Sequence, residues 1–134
     1  MRRMRARTEH DSLGNVEVPA QVYYGAQTVR ALRNYPISGL RAHPVFVKAY
    51  GLLKLACAEA NLALGMIPPR VGRAIIRAAR DVALGALHDQ FPVDVYQAGA
   101  GVSFHMNVNE VIANRAIEYL GGKRGDYSVV HPND

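Results

Sequence analysis

The chain has a single cysteine, Cys57. No internal disulfide can form, and no secretory apolar segment follows the arginines near its start, so a reducing, cytoplasmic setting is expected. Long apolar runs are also missing. Lys48, Lys54 and Glu59 interrupt the most apolar region, well short of the about 18 residues a membrane-spanning helix needs. Metal-binding spacings are absent as well: His10, His43, His88, His105 and His131 are scattered, with no HExxH and no CxxC, and neither a metal nor a cofactor is expected. Gly101-Val102-Ser103 lacks the second glycine of a GxSxG elbow, which argues against a hydrolase nucleophile.

What is present is an ordinary globular composition. In 134 residues, 49% are hydrophobic and 20% charged, enough for one domain with a modest core. Lys+Arg 16 against Asp+Glu 11 gives a formal charge of +5, which favours anionic partners without naming them. Arg70, Arg73, Arg77 and Arg80 recur at helical spacing. No aromatic residue interleaves with them in the sequence and no nucleic-acid motif accompanies them, so they read as a solvated outer face and no nucleic-acid partner is expected.

Proline and glycine punctuate the rest. Residues 1–7 form a basic tail expected to be disordered, ahead of one domain over residues 8–134. Thr8 to Ala20 reads as a turn-rich extended ribbon, and Gly25 to Tyr35 as a short helix. Pro44 can open a helix running to about Leu64, closed by Gly65 and apolar on most of its circumference. That helix is expected to be central and buried, with Cys57 packed inside. A second, amphipathic helix runs from Pro68-Pro69 toward Leu87. A third runs from about Ser103, its N-cap, to Leu120, before Gly121-Gly122. The fold class is mostly α with a short extended N-terminal segment.

Chemistry concentrates in QAGAGVSFHMNVNEVIANRA, Gln97 to Ala116. Asn107, Asn109 and Asn114 are poor helix formers, so tertiary hydrogen bonds or a polar cleft must retain them. Glycines before a helix N-terminus let an anion approach backbone N–H groups; a plain tight turn is the competing reading.

With DSLGNVEVP, YYGAQTVRALRNYPISG, DQFPVDVYQAGAG, MNVNEVIANRA and GDYSVVHPND in order, the chain resembles the class II fumarase and aspartase family of the fumarate lyase superfamily. The likeness runs from Thr8 onward. YYGAQTVRA with NYPISG, and GAG where fumarases typically carry GSG, leans toward aspartate ammonia-lyase. The resemblance implies the N-terminal domain of a lyase acting on a small dicarboxylate, aspartate or fumarate. A serine on a mobile loop removes the Cβ proton, and the resulting aci-carboxylate expels ammonia to leave fumarate. Preorganised donors around that dianion supply the stabilisation.

Substrate-binding positions implied by the resemblance are Gly99, Gly101, Val102, Ser103, His105 and Asn107, with Ala100 between the glycines and Asn109 behind. His131, Asn133 and Asp134 map onto a secondary anion site that the family's fumarases carry. Two residues depart from the pattern. Val102 stands where a threonine hydroxyl usually contacts substrate, a loss of about 1.5 to 3 kcal/mol, and His105 stands where asparagine is usual. An imidazolium at His105 is expected to compensate.

No catalytic residue of the family falls within the chain. The resemblance implies that the catalytic serine loop, its lysine and the central helical bundle that assembles the family's homotetramer are expected beyond Asp134. A truncated domain of this kind is expected to be inactive alone and to expose apolar surface. The alternatives are the same domain of a fumarate hydratase, acting on malate, and a non-catalytic remnant that binds an anion.

Overall fold

The computed structural model describes residues 5–134, so the tail expectation for residues 1–4 lies outside the described residues. The chain opens with a hairpin of β1 (Ala6–Asp11) and β2 (Gly14–Pro19), paired antiparallel with Glu9 opposite Val16. Its two-residue turn closes through Gly14 at φ 110° and a Leu13 N–H donating to Asp11 Oδ1. Val16 and Val18, two residues apart, share one face and pack on Ala26 and Val29 of α1 (Ala26–Asn34). The expected disorder of the tail through Arg7 is corrected here, because Ala6 and Arg7 belong to β1. The Arg7 guanidinium holds them in place, donating to the carbonyls of Pro19, Val22 and Tyr24 and to Glu9.

Three longer helices make the main core. α2 (Pro44–Ala63) has proline at its first position, a His43 ring that accepts from the Val45 N–H, and Gly65 at φ 70° just past its end. α3 (Pro69–Ala83) also starts on proline and stops before Gly85, short of the expected Leu87. The pair touches through backbone: a Cβ at Gly51 would lie 2.6 Å from the Ala83 nitrogen. α4 (Val102–Tyr119) packs Phe104, Val108, Val111, Ile112 and Ile117 against Ile75, Ala78, Ala79 and Val82 of α3.

The central helix is therefore α4, which buries ten residues. The expectation that α2 would be buried is corrected, since only Val47, Gly51 and Ala58 are enclosed. Val45, Phe46, Leu52 and Leu53 keep about half or more of their surface open. The reason is geometric: α2 is apolar nearly all round, and α3 and α4 cover one stripe of it. Cys57 follows the same logic and is exposed, not packed. The arginine stripe of α3 does face solvent, though the Arg77 guanidinium stacks 3.7 Å from the Tyr119 ring centre. Among the described residues no helix is long and apolar enough to cross a membrane.

Candidate functional site

The glycine loop turns through left-handed backbone at Gly99 (φ 66°) and Gly101 (φ 88°), and Gly101 caps α4. The expected cap by Ser103 is corrected: Ser103 lies inside the first turn, and Gln97 Oε1 takes the Phe104 N–H at 2.7 Å instead. A side chain reaching back from the loop thus occupies a donor that an anion would otherwise use.

The asparagines behave as their low helix propensity requires. Asn107 is fully buried and its Nδ2 donates to the Gln90 carbonyl at 2.9 Å, while its Oδ1 has no partner among the described residues. Asn114 ties three loops together, donating to the Tyr23 carbonyl and the Tyr127 hydroxyl and accepting from the Gly125 N–H. Each bond fixes a loop that would otherwise leave a buried polar group unmatched.

One turn along, Glu110 is 1% exposed and Glu9 3%. Together they cap α1. Glu110 accepts from the Gln27 and Thr28 N–H groups and the Thr28 hydroxyl, and Glu9 accepts from the Ala26 N–H, the Tyr127 hydroxyl and Arg7. Burial pushes Glu110 up to about 7, although the Thr28 and Gln27 donors pull the other way. Burial and the two neighbouring glutamates push the Tyr127 phenol above its usual range, so it stays neutral and donates. A comparable carboxylate cap sits at Asp94: burial alone would raise it, but N–H groups of Tyr96, Ser38 and Gly39 and the Ser38 hydroxyl hold it down to about 2.

Two of the cavities beside α4 hold candidate site residues. One, of about 270 Å³, is lined by Lys54, Cys57 and Asn61 of α2, by His105 and Asn109 of α4, and by the chain's last turn. That turn is built by its own side chains: the His131 N–H donates to Asp134 Oδ2 and the Asn133 N–H to His131 Nδ1. His131 also meets the edge of Tyr127 at 6.0 Å between ring centres. The second cavity, of about 410 Å³, holds Gly99, Gly101 and Gln97 against Phe46, Tyr50 and Phe104. These three rings meet edge-on or tilted, with centres 5.0 to 5.1 Å apart.

The fold brings His105 together with His131, Asn133 and Asp134, which the sequence places far apart. It puts Gly99 and Gly101 in the other cavity, leaves Val102 62% exposed and seals Asn107 in the core. Lys54 escaped the sequence reading. The signal available for it was a cation inside a mostly apolar helix. Its ammonium lies 3.1 Å from His105 Nδ1, and Asn109 Nδ2 lies 3.4 Å from Nε2. Burial, then the Lys54 charge, lowers the His105 pKa, so the ring is held neutral and the expected imidazolium is not favoured. Among the described residues no group of three His, Cys, Asp or Glu side chains is placed to hold a metal ion.

A sequence model described simply as "Lyase" matches residues 14–134. The chain is 56% identical over 128 residues to a class II fumarate hydratase of Halobacterium salinarum, and 49% identical over 127 residues to an aspartate ammonia-lyase of a Bacillus species. These alignments take in 96% and 95% of this chain and 27% of each relative. Among solved structures, a fumarate lyase:delta crystallin of Brucella melitensis in native form superposes with a TM-score of 0.94 at 47% identity, over 97% of this chain and 31% of that one. The chain therefore spans less than a third of the length of these relatives, in keeping with an N-terminal domain. It belongs to the lyase family that contains class II fumarate hydratase and aspartate ammonia-lyase.

Proposed function

We propose that the chain forms the N-terminal part of a fumarate-forming lyase and contributes one wall of its C4-dicarboxylate site. The observation that carries this reading is the single cavity shared by His105 of α4 and the His131–Asp134 turn. His105 comes from the segment that resembles the family's substrate-facing motif and the turn from the segment that resembles its secondary anion site, and the fold makes them neighbours. The reaction is a β-elimination in which a base outside these 134 residues removes the Cβ proton. The negative charge then building on the adjacent carboxylate needs fixed donors. In the whole enzyme these walls come together in a homotetramer.

Aspartate is the first substrate reading, supported by the GAG loop at residues 99–101 and by the YYGAQTVRA and NYPISG wording. Malate is the second, supported by the 56% identity to a fumarate hydratase. The two differ only in the leaving group, ammonia or water. The test is to extend the coding sequence past the codon for Asp134, purify the protein it encodes, and follow fumarate by ultraviolet absorbance with each substrate. Fumarate from aspartate but not malate supports the first reading, and the reverse supports the second. Fumarate from neither overturns both.

A further inference from the structure

The cavity beside α4 contains a lysine for which the family resemblance gave no role. Lys54 is half-buried on α2, and none of the chain's ion pairs among the described residues involves it. Burial lowers its pKa, yet it remains the strongest donor facing the cavity. An ammonium has only protons to offer. At 3.1 Å from His105 Nδ1, it therefore makes that nitrogen an acceptor, and the ring proton of the neutral imidazole moves to Nε2.

Nε2 then faces Asn109 Nδ2 across 3.4 Å. Two N–H donors at that distance cannot bond to each other. Lys54, His105 and Asn109 consequently present three donor groups to one space, and the outstanding need is an acceptor with several lone pairs. A carboxylate meets it, with one oxygen between His105 and Asn109 and its charge against Lys54. Other titratable groups lining the cavity are Cys57 on α2 and His131 and Asp134 on the last turn. The side chain of Asp134 is already engaged by the His131 N–H.

We propose that Lys54 is the charge-bearing carboxylate-recognition residue of this cavity, holding His105 as a neutral imidazole that donates through Nε2 alongside Asn109. The inference rests on the reading that the cavity takes a C4-dicarboxylate, and it goes further by assigning the recognising charge to Lys54 and not to an imidazolium.

The test uses the 134-residue chain labelled with nitrogen-15. Ring-nitrogen spectra at neutral pH should show His105 with an unprotonated Nδ1 and a protonated Nε2, and fumarate should shift Nε2 saturably. Lys54→Gln should weaken fumarate binding at least tenfold, whereas Lys54→Arg should retain most of it. A wild-type ring protonated at Nδ1 overturns the proposal without recourse to any variant, which covers the case of a substitution that fails to fold. Unchanged fumarate affinity in a folded Lys54→Gln protein also overturns it. So does an Nε2 signal indifferent to fumarate, because Asn109 would then be accepting from the ring through its own oxygen. Inorganic phosphate serves as the comparison anion, and equal affinity for it removes the dicarboxylate assignment.

Failure here is separable from failure of the lyase reading. An extended protein that forms fumarate while Lys54→Gln leaves its KM unchanged loses only the Lys54 role. A chain that binds fumarate through Lys54 while the extended protein turns over neither substrate loses only the activity.

Discussion

Two charged neighbourhoods lie little more than one turn apart on α4, and they are built in opposite ways. Around Glu110 every charge has its complement: two carboxylates meet the first N–H groups of α1, the Thr28 hydroxyl, a phenol and a guanidinium. Around His105 the ring nitrogens face donors, Lys54 on one and Asn109 on the other, while the carboxylate lining the same cavity, Asp134, already accepts from the His131 N–H. A buried polar network that satisfies itself specifies structure, because removing any member strands the rest. A half-open cluster of unmatched donors gains little for the fold and much from a ligand that brings the acceptor. The contrast separates the residues that build the domain from those left open to a ligand.

The sharpest way to break the first neighbourhood is Gly25→Ala. A Cβ there would collide with Glu110 Oε2, the Tyr127 hydroxyl and Glu9 Oε1, the last at 2.6 Å, and none of these can retreat without losing its bonds. A loss of about 3 kcal/mol or more is expected in denaturant unfolding, enough to unfold a marginal domain. Next comes Glu110→Ala, which strands two N–H groups and a hydroxyl and should cost about 3 kcal/mol. Asn114→Ala, which frees the Tyr23, Tyr127 and Gly125 loops, should cost about 2 kcal/mol in the same measurement.

Smaller effects follow from protonation. Glu110 is raised to about 7 in the folded chain against 4.5 unfolded, so the unfolded chain surrenders its proton first. Stability from this group is highest below pH 4.5, falls as pH climbs to about 7 and is level beyond, a total of at most about 3 kcal/mol. Glu110→Gln should flatten that decline in melts run across the range. Asp94 acts in the other direction. Its contribution is present above 3.8 and is lost as pH falls toward 2. The least structural effect belongs to the second neighbourhood: Lys54→Gln should alter stability by no more than about 0.5 kcal/mol, since no acidic partner is stranded.

Much of the fold was legible because its punctuation is local. Pro44, Gly65, Pro69 and Gly121 mark helix ends through their own φ preferences, and Asp11 to Gly14 marks a turn. Burial was less legible, because it depends on what covers a helix. α2 is the more apolar sequence, yet α4, studded with asparagine, is the buried one: loops around Tyr23, Gln90 and Gly125 supply its polar partners. Nothing within Asn107 or Asn114 names those loops. The site divided in the same way. His105 and the HPND turn are singled out by motif wording alone, but Lys54 acquires meaning only when α2 is laid against α4, and Ser103 loses the cap to a Gln97 side chain reaching across the loop.

The most direct test of the contrast is residue-resolved chemical-shift mapping of the chain during a fumarate titration. Saturable shifts should gather at Lys54, His105 and Asn109 and leave Glu110, Glu9 and Tyr127 in place. Saturable shifts confined to the aromatic cavity around Gly99 and Gly101, with Lys54 and His105 unmoved, would contradict the assignment of the dicarboxylate to the Lys54 side of α4.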